Sequence, residues 1–301
     1  VVFKSSDKGQ NWTSVNDALI NNAVECIAVH PSDTNIIYAY SGALLKSVNG
    51  GVSWSTLSNY AGGGTNRILI NPLTGRVLTA SANGIYYSDN GGTNWTKATT
   101  NVTPGTEIYD IALNPSNSNI VYGVCAYNST NDSMIIFRSV NAGNGFTAVT
   151  LPASTYTVGA RFAVSAANAA YVYCITLQND FPKLMMSTDS GVTWTARLTF
   201  SGTGLTGSSA VNGMSNGQGY YDLGIMVSPT DTNKIIVGTT TAYRSTDGGL
   251  NFSALGGYAG SFALHPDIQW MAASGNDSYI TTDGGITYSS DFFGLTSNAS
   301  S

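Results

Sequence analysis

Ser187-Thr-Asp189-Ser-Gly191-Val-Thr-Trp194 is the stretch whose reading decides the fold. A short acidic side chain at position 189 can accept backbone N–H groups a few residues on and so close a tight turn. Gly191 supplies a positive φ that a residue with a side chain resists. The Ser187 hydroxyl can bond back across the turn, and Trp194 buries a large ring where the next strand begins. The same Ser/Thr-x-Asp/Asn-x-Gly-x-x-aromatic pattern recurs at residues 5–12, 47–54, 88–95, 139–146, 245–252 and 281–288. Its acid or amide and its aromatic are Asp7 and Trp12, Asn49 and Trp54, Asn90 and Trp95, and Asn141 and Phe146. Asp247 with Phe252 and Asp283 with Tyr288 complete the series. Successive copies lie 42, 41, 51, 48, 58 and 36 residues apart. A period of this size marks a repeat architecture built of four-stranded blades.

The segments between the turns supply the strands. Ile27-Ala-Val-His-Pro31, Ile68-Leu-Ile-Asn-Pro72, Ile111-Ala-Leu-Asn-Pro115, Ile225-Met-Val-Ser-Pro229 and Phe262-Ala-Leu-His-Pro266 alternate apolar residues and stop at proline. Each reads as a first strand ended by a turn. Runs rich in β-branched and aromatic residues follow as second strands, among them Ile36-Ile-Tyr-Ala-Tyr40 and Tyr171-Val-Tyr-Cys-Ile175. A third strand then leads into the eight-residue turn, and a fourth follows it. Trp270 is expected in a second strand. His30 and His265 are expected as turn residues beside the prolines, on the same end as the eight-residue turns.

These turns resemble the Asp-box, the bacterial neuraminidase repeat of a β-propeller superfamily that includes sialidases, xyloglucan-cleaving glycoside hydrolases, sortilin-like ectodomains and uncharacterised secreted bacterial propellers. The resemblance covers essentially the whole chain and is specific for fold, not activity. It implies an all-β, seven-bladed propeller of four-stranded antiparallel blades, with the Asp-box between third and fourth strands. Residues 1–301 then form a single propeller domain. The chain starts in a third strand, so the first blade is expected to be incomplete, or the chain to be a piece of a longer secreted protein. Phe292-Phe-Gly-Leu-Thr296 is expected to supply one strand toward that blade.

Composition narrows the partners. Only 10% of the 301 residues are charged, the net charge is −5 and the isoelectric point is near 4.8. That balance argues against nucleic acid and anionic membrane surfaces, and no apolar run is long enough to span a bilayer. A polar surface poor in lysine points to a secreted or cell-surface protein. Three cysteines cannot all pair; Cys26, Cys125 and Cys174 read as small buried strand residues, with a Cys125–Cys174 disulfide as the alternative. No metal or cofactor pattern is present.

In the related hydrolases the site lies on the face opposite the Asp-boxes, which implies the loops from fourth to first and from second to third strands. The longest of these loops, residues 201–221, ends in Gly217-Gln-Gly-Tyr-Tyr-Asp222. Tyr220, Tyr221 and Asp222 are therefore candidate ligand residues, joined by Tyr109, Tyr156, Tyr258 and Arg161. Arg67, Tyr60, Asp132 and Asp180 are expected near the same mouth. A glycosidase needs two carboxyl groups across the scissile bond, and Glu107, Asp110 and Asp222 are the candidates, although nothing in their spacing requires that role. Sialidases also carry an Arg-Ile-Pro segment; here Arg67-Ile68 is followed by Leu69, and no arginine triad assembles. The leading expectation is a non-catalytic module binding a glycan or a protein, with further domains of the same polypeptide as another partner. A glycoside hydrolase and a structural spacer are the alternatives.

Overall fold

A computed structural model describes the chain except for residues 1, 16–22, 102–106, 127–133, 152–156, 158, 179–180, 200–221, 297–298 and 301. Its strands are β1 Phe3–Lys4 and β2 Thr13–Ser14, then β3 Cys26–His30, β4 Asp33–Tyr40, β5 Leu44–Ser47 and β6 Ser55–Thr56. Next come β7 Thr65–Ile70, β8 Val77–Ser81, β9 Gly84–Ser88, β10 Thr96–Lys97 and the short β11 Thr99–Thr100. The third group is β12 Ile108–Leu113, β13 Val121–Ala126, β14 Met134–Ser139 and β15 Gly145–Val149. Then follow β16 Gly159–Val164, β17 Val172–Gln178, β18 Phe181–Ser187 and β19 Thr195–Thr199. The last two groups are β20 Gly224–Val227, β21 Ile235–Gly238, β22 Thr241–Ser245, β23 Ser253–Gly257, and β24 Ile268–Ser274, β25 Asp277–Thr282, β26 Gly285–Ser289, β27 Ala299–Ser300.

Each group of four forms one meandering antiparallel sheet, and β11 adds in parallel to the outer edge of β15. The described residues therefore make six four-stranded blades and one two-stranded hairpin, β1–β2. This corrects the expectation of seven blades: the residues around the first turn supply only a third and a fourth strand. Contacts divide the chain into two compact units, Val1–Leu113 with Asn117–Ser129 and Ile136–Ala148, and Asn114–Ser116 with Thr130–Ile135 and Val149–Ser301. In the first unit Tyr38, Tyr40 and Leu44 pack on Ile68, Ile70 and Val77 of the next sheet. In the second, Tyr173, Ile175, Leu177 and Leu184 pack on Ile225, Val227, Ile235 and Val237. Alternation along strands thus becomes sheet-on-sheet burial.

The eight-residue turns share one hydrogen-bond set. The Ser187 hydroxyl donates to Asp189 Oδ1 at 2.7 Å, the Gly191 N–H donates to Ser187 Oγ at 2.8 Å, and Thr193 N–H donates to Asp189 Oδ1 at 2.9 Å. Trp194 Nε1 then donates to Gly191 O at 3.2 Å. The serines at 5, 47, 88, 139 and 245 make the same pair of bonds. Glycine is required twice over at position 249. Its φ is +83°, and a Cβ there would come within 2.5 Å of Leu184 Cδ2.

The last turn departs from expectation. Residues 281–288 do not link third and fourth strands: Thr282 pairs with Gly285 across a two-residue hairpin between β25 and β26. The turn between β26 and β27 is instead residues 289–296. There the Ser289 hydroxyl donates to Asp291 Oδ1 at 2.8 Å and Phe293 N–H donates to Ser289 Oγ at 2.8 Å. Phe293 stands where the other turns have glycine and holds φ at +55°. Its ring is buried against Phe262, with centroids 5.6 Å apart. Residues 292–296 are thus a turn, not a closing strand. Two further expectations change with it: Trp270 lies in β24, the first strand of its blade, and residues 262–266 form no strand beyond one bridge from Phe262 to Gly256.

Basic side chains tie three of the turns to the blade before them. Lys46, preceding Ser47, crosses the Tyr38 ring and donates to Gly91 O at 2.8 Å. Arg244, preceding Ser245, donates to Phe293 O. Tyr87 occupies that place before Ser88, and Arg76 stacks on its ring and supplies the cation, donating to Ala142 O at 3.0 Å while pairing with both Asp89 oxygens. None of the three cysteines forms a disulfide, so the Cys125–Cys174 alternative is not adopted.

Candidate functional site

Two polar clusters form at the starts of first strands, one in each unit. In the first unit the registers of β7 with β8 and of β12 with β13 slip by one residue, between Thr65 and Arg67 and between Ile108 and Asp110. Such bulges leave one residue unpaired and re-aim its side chain. The extra residues are Asn66 and Tyr109. Asn66 Nδ2 donates to Ile108 O at 2.9 Å, tying the two strand starts together. Arg67 Nε lies 3.7 Å from Asp110 Oδ1, and Ile111 N–H donates to the same oxygen at 2.9 Å. Asp110 is buried in this arrangement, Tyr109 is half-buried, and Glu107 just before β12 is exposed.

The second cluster surrounds Asp222, whose side chain is fully buried just before β20. A third bulge, between Ile268 and Trp270 of β24, frees Gln269. Its amide Nε2 donates to Asp222 Oδ1 at 2.9 Å and to Asp283 Oδ1 at 3.0 Å. Asp283, expected to close an eight-residue turn, instead sits in the β25–β26 hairpin beside Asp222. His265 also lies at this end, since a Cβ on Gly284 would come within 2.5 Å of the His265 Cβ and Cγ. Asp267 holds a φ of +68° in the segment entering β24. Burial, reinforced by the charges of Asp267 and Asp283 and opposed by the Gln269 bond, pushes the Asp222 carboxyl up to about 7. Among the described residues no group of three or more His, Cys, Asp or Glu is placed to hold a metal ion.

The remaining candidates separate. Arg161, half-buried in β16, donates from Nη1 to Ala160 O at 2.9 Å. Tyr258 is exposed after β23. Tyr60 belongs to the core: its hydroxyl lies 2.8 Å from Thr65 Oγ1 and donates to Thr79 Oγ1 at 3.1 Å, and its ring meets Tyr86 and Trp95 edge-on. Tyr156, Tyr220, Tyr221, Asp132 and Asp180 lie outside the described residues. Gln269 and Asn66 were missed from the sequence, because only strand pairing reveals which residue of a bulge is unpaired.

A known family model matches most of the chain. The model for the DUF6242 β-propeller domain matches residues 1–236. The chain belongs to that family. Comparison with curated proteins finds no match. Among solved structures it is similar to the GH74 xyloglucanase from Xanthomonas campestris, with a TM-score of 0.67 and 18% identity over 96% of this chain and 48% of that one. It is also similar to the extracellular domain of a one-component system from B. thetaiotaomicron, with a TM-score of 0.65 and 14% identity over 95% of this chain and 35% of that one. A third is YCF48 bound to D1 peptide, with a TM-score of 0.59 and 14% identity over 92% and 82%. The chain spans 36%, 48% and 60% of the lengths of three GH74 structures. At these identities the likeness shows the β-propeller fold alone.

Proposed function

We propose that this propeller is a non-catalytic, secreted or cell-surface module that binds a glycan or polypeptide ligand at the starts of its first strands. One observation carries the reading: the carboxyl groups suited to catalysis are engaged by the scaffold. Asp110 is buried beside Arg67 and accepts its neighbour's N–H. Asp222 is wholly covered and held by Gln269. A glycosidase needs both of its carboxyl groups facing the scissile bond. Glu107, Tyr109 and Arg67 in the first unit, and separately Arg161 and Tyr258 in the second, are the polar and aromatic candidates for ligand contact, with Tyr156, Tyr220 and Tyr221 as further candidates. We read the recurrent turns as Asp-boxes and assign them to the scaffold. The neighbours' printed names fit both ligand classes, a xyloglucanase on one side and a peptide complex on the other.

The hydrolase reading is favoured by one feature: burial beside Asp267 and Asp283 pushes the Asp222 carboxyl up to about 7, the direction a general acid needs. Its burial opposes that role. The binding reading is tested by probing immobilised glycans, xyloglucan oligosaccharides included, and a peptide library. A ligand is expected in one of the two, with Tyr109→Ala weakening it about tenfold, the loss typical of an interfacial aromatic, at unchanged melting temperature. Silence of both libraries, or a ligand indifferent to Tyr109→Ala, contradicts the site.

A further inference from the structure

The eight-residue turns of the second unit carry two features that their own hydrogen bonds do not need. One is exposed aliphatic surface. Val192 and Leu250, three residues after the turn acids Asp189 and Asp247, are 54% and 51% exposed. Leu295, four residues after Asp291, is 62% exposed. Other turns carry Gln10, Thr93 and Asn144 three residues after the acid or amide, so a polar side chain serves the turn equally well. An aliphatic side chain left in water at three successive turns gains little for folding.

The other feature is charge. Asn49, Asn90 and Asn141 fill the place of the acid in the first unit. The amide makes the same bonds: Asn49 Oδ1 accepts from the Ser47 hydroxyl and from the Ser53 N–H, each at 2.9 Å. The carboxylates of Asp189 and Asp247 are bound by hydroxyl, amide and backbone N–H groups, none of them a cation.

The three turns run side by side. Arg244, before the second of them, donates to Phe293 O in the third. Arg197, after the first, lies against the second, with Nη2 3.4 Å from where a Cβ on Gly248 would stand. They occupy the far ends of the strands from Asp222, since Gly248 N–H donates to Asn233 O at 3.0 Å where β20 has turned into β21. That neighbouring turn adds one acid and one base, Asp231 and Lys234.

We infer that this end of the second unit docks a basic polypeptide segment in which Lys or Arg is interspersed with aliphatic residues. The aliphatic side chains of the segment cover Val192, Leu250 and Leu295, and its cations sit among the three carboxylates. Charge complementarity selects this occupant. Nucleic acids and anionic membranes are repelled, and a second copy brings a chain of net charge −5. A glycan meets no exposed aromatic ring here, because Trp194, Phe252 and Phe293 are buried. The surface lies apart from the two polar clusters, so it stands or falls independently of the ligand reading above.

A synthetic peptide repeating Lys-Leu-Gly tests this beside two controls, repeating Lys-Ser-Gly and Gln-Leu-Gly. Saturable binding of the first to the intact protein is expected, with both controls weaker by about tenfold or more, the loss typical of removing an interface anchor. Leu250→Ser should weaken the first peptide by a similar factor. That side chain is exposed, so the variant should melt like the parent. Asp189→Asn combined with Asp247→Asn should weaken it as well, in a protein that stays folded as the asparagine turns of the first unit do. Absence of binding, equal binding of either control, or indifference to Leu250→Ser or to the double variant overturns the proposal. So does a dimer of the protein alone that Leu250→Ser converts to monomer, because the occupant is then a second copy.

Discussion

Replacing Asp222 by Asn should raise the melting temperature at pH 8 and leave it nearly unchanged at pH 4. The carboxyl is buried between Asp267 and Asp283, and its folded value is raised from 3.8 to about 7. A carboxyl raised in the folded state favours folding fully only while it is protonated in both states, below about pH 4. As pH climbs from there to 7 the unfolded chain releases a proton that the folded chain retains, so stability declines, and above 7 the loss is complete. A shift of this size corresponds to on the order of 2–4 kcal/mol, or roughly 2–4 °C for each kcal/mol in a large domain. Asn keeps an oxygen for the Gln269 amide and carries no charge, so the decline should vanish. The turns set the opposite limb. For Asp189 and Asp247 burial works upward, but hydrogen bonds from Thr193 and Ser187, and from Asn251 and Ser245, hold them near 2. Bonds from Asn11 and Ser5 do the same for Asp7. Those groups contribute stability above pH 4 that is lost as pH falls toward 2. Differential scanning calorimetry of both proteins from pH 2 to 9 checks the two limbs. A wild-type protein as stable at pH 8 as at pH 5 would refute the burial argument.

Phe293→Gly should destabilise the chain by about 2–4 kcal/mol, even though it places glycine where every other turn has it. Glycine relaxes the positive φ at a gain of roughly 1 kcal/mol. Against that, deleting a buried phenylalanine costs about 3–5 kcal/mol through lost transfer energy and the cavity left behind. The cavity is bounded by Phe262, Leu255, Leu264 and Met271, which share the Phe293 cluster. Ser289→Ala should cost about 1–2 kcal/mol by removing the three hydrogen bonds of its hydroxyl, and Thr281→Val should cost less, since Thr281 Oγ1 makes one bond, to Trp270 O. Urea denaturation ranks the three. A larger effect at Thr281 than at Ser289 would restore residues 281–288 as the staple of the last blade.

That ranking also marks where the sequence could be read and where it could not. The serine, acid and aromatic of the turns were legible because their hydrogen bonds are local and fix residue type at fixed spacing. The last turn was hidden because Phe293 obtains its positive φ through packing, which leaves no glycine to read. Thr281-Thr-Asp-Gly-Gly supplied a decoy, since an Asp-Gly hairpin between adjacent strands favours the same residues. A Ser289-x-Asp291 pair 44 residues after Ser245 was the available signal, closer to the other spacings than 36. The basic residue before the turn serine was equally visible in Lys4, Lys46, Arg138 and Arg244, and its purpose emerges only when the next blade's carbonyl is in place. Asp222 was legible as a candidate by its position after a long loop. Its partners were not, because Gln269 reaches it through a bulge, and bulges depend on pairing across strands.

The central proposal is that Asp110 and Asp222 are engaged by the scaffold and that neither acts as a catalytic carboxyl group. It is tested most directly by incubating the protein and its Asp222→Asn variant with xyloglucan oligosaccharides and sialosides between pH 4 and 9, with release of reducing sugar and sialic acid followed over days. No release above the enzyme-free rate is expected from either protein at any pH. Release by the parent that rises and falls around pH 7 and disappears in Asp222→Asn would make Asp222 a catalytic acid and contradict the account.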